Sequence, residues 1–78
     1  MRKSDELTNP ESCMNRARND EWTFVLLGRD AAAPIAIRAW ANERMRTGKN
    51  KLHDPQILEA LDCAAAMELE RVLSRPKR

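Results

Sequence analysis

Tyrosine is absent from this chain, and its aromatic residues number three, Trp22, Phe24 and Trp40. With only two glycines in 78 residues, Gly28 and Gly48, no glycine-rich loop exists to cradle a phosphate. One histidine and two distant cysteines give no metal-ligand spacing. His53 stands in a basic loop just before Asp54-Pro55 and reads as a helix-entry residue rather than a general base. Cys13 and Cys63 read as reduced, buried helix residues rather than reactive thiols. No apolar run approaches the roughly 20 residues of a membrane span. The opening MRKSDELTNPES has no apolar stretch after its basic residues, so no signal peptide is expected. These gaps together argue against an enzyme, a cofactor or a metal, and for a cytoplasmic chain.

Charge is plentiful but balanced, with 14 Lys+Arg against 12 Asp+Glu. A net +2 is not the footprint of a protein held to nucleic acid by bulk charge. The distribution is less even. Arg38, Arg44, Arg46, Lys49 and Lys51 precede His53 with only Glu43 among them, and the end RVLSRPKR adds four basic residues without an acidic one. Much of the apolar content is alanine, which suits close helix packing better than a sheet. A core of this size is marginal alone, so a second copy is the readiest source of buried area.

The fold class expected is mainly α: a small three-helix domain with a short extended apolar segment before the second helix, built as a homo-oligomer. Residues 1–8 read as a flexible end, 9–75 as a single helical domain and 76–78 as a basic tail. Asn9-Pro10-Glu11 reads as a helix start, with Asn9 as N-cap of a helix from Pro10 to about Arg18. Trp22 to Leu27 is too short to assign by periodicity. It reads as an extended, largely buried connector that docks Trp22, Phe24 and Leu26 into the core. Gly28 then permits a reversal, and Asp30 is placed to cap a helix from Ala31 to Thr47, stopped at Gly48. Asp54-Pro55 opens the last helix, to about Ser74 before Pro76. Its stripe is Leu58, Leu61, Ala65, Leu69 and Val72, widened by Ile57, Ala64, Met67 and Leu73.

Three features offer binding chemistry. Arg29 and Asp30 stand at a helix start, where a guanidinium and backbone amides can hold an anion. Arg38 and Trp40 share a helix with Arg44, and a tryptophan beside arginines can stack a base. Lys49 and Lys51 sit in a loop that can meet phosphates or an acidic partner. A helix-turn-helix reader of DNA is disfavoured, because Gly48 to Asp54 is longer than that motif's tight turn. The last helix also carries Glu59, Asp62, Glu68 and Glu70.

The pattern D-E-W-T-F-V-L-L-G-R-D at Asp20 to Asp30, followed by Ala33-Pro34 and I-R-A-W-A at Ile37 to Ala41, resembles small accessory proteins of bacteriophages and prophages. The resemblance covers roughly Cys13 to Met67 and carries no catalytic motif. It implies a non-enzymatic binding protein in the host cytoplasm that interferes with a host defence protein or process. One alternative is an oligomeric sponge for a nucleotide-type signalling ligand. Another is a small helical protein associated with nucleic acid.

Overall fold

The computed structural model describes residues 2–73 and is mainly α. Ser74, Pro76 and the basic tail lie outside the described residues. Four helices follow in order, α1 (Lys3–Thr8), α2 (Cys13–Arg16), α3 (Ala33–Arg46) and α4 (Pro55–Leu73), with no strand among the described residues.

The first two helices form a corner held by side chains rather than by a core. The Asp5 carboxylate accepts from the Arg2 backbone N–H at 3.2 Å and closes the first turn of α1. A short helix leaves its last carbonyls without partners. Here Asn15 Nδ2 donates to Glu6 O, Leu7 O and Asn9 O at 3.0, 3.2 and 2.8 Å. Ser12 Oγ, almost fully buried, donates to Glu6 O at 2.6 Å. The flexible end expected for residues 1–8 is therefore a helix over Lys3–Thr8.

Asn9 does not cap the next helix. Its Oδ1 accepts from Glu11 N–H at 2.9 Å in a local turn, and Ser12 takes the cap position, accepting from Asn15 N–H at 3.2 Å. The helix expected from Pro10 shrinks to the four residues of α2.

The start of α3 also differs from expectation. Asp30 Oδ1 accepts from Ala32 N–H at 2.8 Å, which spends the carboxylate one step early. The helix opens at Ala33 behind an Ala32 cap with no side-chain bond, and Pro34 occupies the first turn, where a missing N–H costs little. At its far end Gly48 adopts φ 78°. Lys49 N–H bonds Arg44 O at 3.0 Å and Gly48 N–H bonds Met45 O at 3.1 Å, the paired bonds of a Schellman stop.

Asp54 stands before α4 but turns its carboxylate back into the loop. Oδ2 accepts from Lys51 N–H at 2.9 Å and from Asn50 Nδ2 at 3.0 Å. The helix then begins through the Asp54 carbonyl, which accepts from Leu58 N–H at 3.0 Å. A carboxylate that accepts the Lys51 and Asn50 bonds is held below its usual value.

Helices α3 and α4 pack as an antiparallel hairpin. Arg38 on α3 forks onto Glu68 on α4, with N–O distances of 2.9 and 2.6 Å, and this pair sets the register. Ala41 lies three residues beyond Arg38 and Ala64 four residues before Glu68, so the two stand at about the same level. Both are fully buried, as are Ala33 and Ile57. Close approach through alanine explains the packing, and Ile57 is the one large aliphatic side chain fully buried among the described residues.

On α4 the inward line is Ile57, Ala60, Ala64 and Met67, spaced three and four apart. Ile57, Ala64 and Met67, expected only to widen the core-facing stripe, thus face inward, while the line expected at its centre begins at Leu58, about 100° from Ile57. Leu58, Ala65, Leu69 and Val72 are exposed, while Leu61, between the two lines, is half-buried. Cys13 is exposed and Cys63 half-buried, against the burial expected of both.

The molecule is elongated, 44 × 29 × 19 Å with a radius of gyration of 14.0 Å. A compact chain of this length would have a radius of gyration near 11.5 Å.

Candidate binding surface

Between Arg18 and Asp30 the chain forms an arm with no helix or strand. A turn closes it at one end, where Glu21 N–H bonds Arg18 O at 3.1 Å and Glu21 Oε1 accepts from Arg18 N–H at 2.9 Å. At the other end Asp30 N–H bonds Leu27 O at 3.0 Å. The six residues Trp22 to Leu27 form neither helix nor strand.

Expected to be largely buried, this arm is instead the most exposed apolar segment described. Trp22 is 99% exposed and Phe24 86%, and Val25 and Leu27 also face solvent. Only Leu26 is half-buried. The reason lies in the layout of the helices. The corner of α1 and α2 does not pack on the hairpin, so nothing stands where Trp22 and Phe24 could insert. An exposed ion pair, Arg2 to Glu70 at 3.1 Å, links the corner to α4.

Gly28 serves the arm through space rather than through a left-handed backbone. A Cβ placed on it would meet Met67 Cγ at 3.3 Å, so the glycine lets the end of the arm lie against α4. Its φ is not positive; among the described glycines only Gly48 has that conformation.

The polar candidates do not converge on one site. They divide into three places along α3. Arg29 is exposed and lines a shallow depression with Leu27, Gly28 and Glu70, whose carboxylate pairs with Arg2. Asp30 is engaged in the turn that precedes α3.

Arg38, midway, is committed to Glu68. The fork draws the Glu68 carboxyl below its usual range, first through the hydrogen bond and then through the charges of Arg38 and Arg71. The same bond raises the Arg38 guanidinium. An arginine so engaged cannot also serve an anion without breaking the pair.

The third place is the α3–α4 turn. Arg44 lies over the Trp40 ring, 5.6 Å from its centroid, and its Nε donates to Asn50 Oδ1 at 2.6 Å. Asn50 reaches on to Asp54 and to Gln56 Oε1 at 3.2 Å. Trp40 remains 41% exposed, and Lys49 and Lys51 project beside this turn into solvent. The result is a tryptophan–arginine platform next to two lysines.

His53 is exposed. No group of three metal-ligating side chains occurs among the described residues. No described helix is long and apolar enough to cross a membrane.

Two apolar stretches expected in the core, the arm and the outer line of α4, are exposed. The second had a visible signal. Two apolar lines with heptad-like spacing on one helix are more than a single neighbouring helix can cover.

The chain matches no protein family, no curated protein and no solved structure.

Proposed function

We propose that this chain is a non-enzymatic binding protein that works as a homo-oligomer in the cytoplasm, and that Trp22 and Phe24 are its anchors for a partner protein. The observation that carries this reading is their exposure on an arm closed by a short turn at each end. An aromatic side chain buried against a partner contributes about 1.5–3 kcal/mol through area alone. Tryptophan is also enriched among the residues that dominate interface energies. An arm with short turns at each end loses less freedom on binding than a free peptide would.

The resemblance to phage accessory proteins supplies the class of partner. It points to a host protein, with interference in a defence process as the outcome.

A second reading rests on the Trp40–Arg44 platform beside Lys49 and Lys51. That cluster suits a nucleotide-type ligand stacked on the indole, with the lysines near its phosphates. Arg29 and Arg38 fall outside it, so the ligand site in this reading is the α3–α4 turn alone.

Native mass spectrometry of protein purified gently from its host tests both. Under the first reading the wild-type chain carries a protein partner that the Trp22→Ser/Phe24→Ser variant loses. Under the second it carries a small discrete mass that Trp40→Ala removes. Retention of the partner by the arm variant overturns the first reading, and absence of any small mass overturns the second.

A further inference from the structure

We infer that the α3–α4 turn takes a single strand of nucleic acid, RNA or DNA, with one base stacked on the Trp40–Arg44 pair and adjoining phosphates on Arg44, Lys49 and Lys51. This deepens the second reading above and rests on it, but not on the role given to the arm.

The first observation sets Arg44 apart from its neighbours. Of the three arginines on α3, Arg38 is forked onto Glu68 and Arg46 onto Glu43. Arg44 has no carboxylate. Its one side-chain hydrogen bond among the described residues runs from Nε to the Asn50 amide oxygen, which orients the guanidinium without neutralising it. Asn50 is itself braced, donating to Asp54 Oδ2 at 3.0 Å and to Gln56 Oε1 at 3.2 Å. Both terminal nitrogens of Arg44 are left for a phosphate, which a guanidinium can meet with two parallel bonds. The guanidinium lies 5.6 Å from the Trp40 ring centroid, so a phosphate site and a stacking site adjoin.

The second observation is local charge. Lys49, Lys51 and His53 follow in the turn, all exposed. Its carboxylate, Asp54, already accepts from Lys51 N–H and from Asn50. The chain as a whole carries only +2, so the contact is short, about three phosphates on Arg44, Lys49 and Lys51.

The third observation, shape, separates a strand from a free nucleotide. Trp40 is 41% exposed, and the residues from Lys49 to His53 are exposed apart from half-buried Asn50. Two shallow depressions among the described residues lie elsewhere, one beside Cys13 and Trp22, the other beside Leu27 and Arg29. Sites for small molecules bury most of the ligand in a pocket. An open platform covers one face of one base, which holds a free nucleotide weakly. A strand makes up for that lack of depth with linked phosphates and the counterions they release. A duplex keeps its base faces covered, so the strand must be single.

The test uses the full chain with Trp22→Phe, so that Trp40 alone reports by fluorescence. Its titrants are a short oligothymidylate, an oligouridylate of the same length, thymidine 5′-monophosphate and a poly-glutamate peptide. Both oligonucleotides are expected to quench Trp40 and to bind at least about tenfold tighter than the mononucleotide, with a log–log salt slope of about −2. Lys49→Gln/Lys51→Gln, at exposed positions, should bring that slope to about −0.7. Trp40→Ala, with its fold checked by circular dichroism and binding read by anisotropy of a labelled oligothymidylate, should bind at least about fivefold more weakly. Binding of one oligonucleotide alone still supports the strand and names its sugar. Equal affinity for the mononucleotide overturns the strand and leaves a nucleotide ligand standing. Equal affinity for poly-glutamate overturns it in favour of an acidic protein partner. A salt slope that the lysine variant leaves unchanged overturns the placement at this turn. Failure of every nucleotide, free or linked, to quench Trp40 at low salt overturns the strand and the second reading together.

Discussion

The hairpin and the arm divide the side chains against the usual order. Inside the hairpin stand Ala33, Ala41, Ala64 and one isoleucine, while Trp22 and Phe24 are outside on the arm. Burial of alanine yields little hydrophobic stabilisation but allows two helices to approach closely. Exposure of a tryptophan yields no stability, but leaves a large apolar group available to a partner. One region therefore holds a shape, and the other leaves its largest side chains uncovered. The difference can be broken by substitutions that ask the same question of each.

The largest effect falls on Ile57. Ile57→Ala removes the one large aliphatic side chain fully buried among the described residues and should cost about 2–5 kcal/mol. A core of this size rarely supplies more than about 3–5 kcal/mol, so the variant is expected to be mostly unfolded by circular dichroism at 25 °C. Trp22→Ser, at a larger side chain, should change urea unfolding of the dilute chain by no more than about 0.5 kcal/mol. If Trp22→Ser unfolds the dilute chain as Ile57→Ala does, the arm belongs to the core and the division is wrong.

The two glycines sharpen the comparison at a smaller scale. Gly48 closes α3 with φ 78°, so Gly48→Ala strains the backbone and should cost about 1 kcal/mol. Gly28, at the root of the arm, needs only space. The atom that an added Cβ meets is the Cγ of a flexible methionine, 3.3 Å away. Gly28→Ala should therefore fall within about 0.5 kcal/mol of wild type. Thermal melts of the two variants side by side would check the order, which reverses if the arm's seat on Met67 is rigid.

These cases also show what could be read from the sequence. The stop at Gly48 and the turn before Pro55 were legible because both obey rules confined to a few neighbouring residues. The stacking of Arg44 on Trp40 was legible in part, since the two are one helical turn apart. Helix α1 was not legible, because its carbonyls are satisfied by Asn15 and Ser12, beyond its own end. Nor was the face that α4 turns inward. Its two apolar lines are equally periodic, and the choice between them is made by α3 through contacts such as Arg38–Glu68, 30 residues apart. The arm was misread for a related reason. Apolar composition says that a segment gains from being covered, but not whether its own chain can cover it.

The smallest expected effect concerns that same ion pair. Arg38 and Glu68 lie at the surface of the hairpin, where solvent weakens such a pair. Glu68 is nevertheless held below its ordinary value in the folded chain. A carboxyl lowered on folding adds stability above its unfolded value, about 4.3 for glutamate. That contribution shrinks as the pH falls below this value and is gone once the pH passes the lower, folded one. Arg38 stays charged throughout, so nothing offsets the loss from the basic side. Asp54 and Glu43 are lowered too and will add their own acid dependence. The melting temperature of wild type should therefore be compared with that of Glu68→Gln from pH 6 to pH 3. Wild type is expected to start slightly higher and converge on the variant as the pH falls. Because the pair sets the register of the hairpin but not that of the arm, fluorescence of Trp22 in a Trp40→Phe background should show no matching acid transition. A shared transition would mean that the arm and the hairpin are not the separate parts their burial suggests.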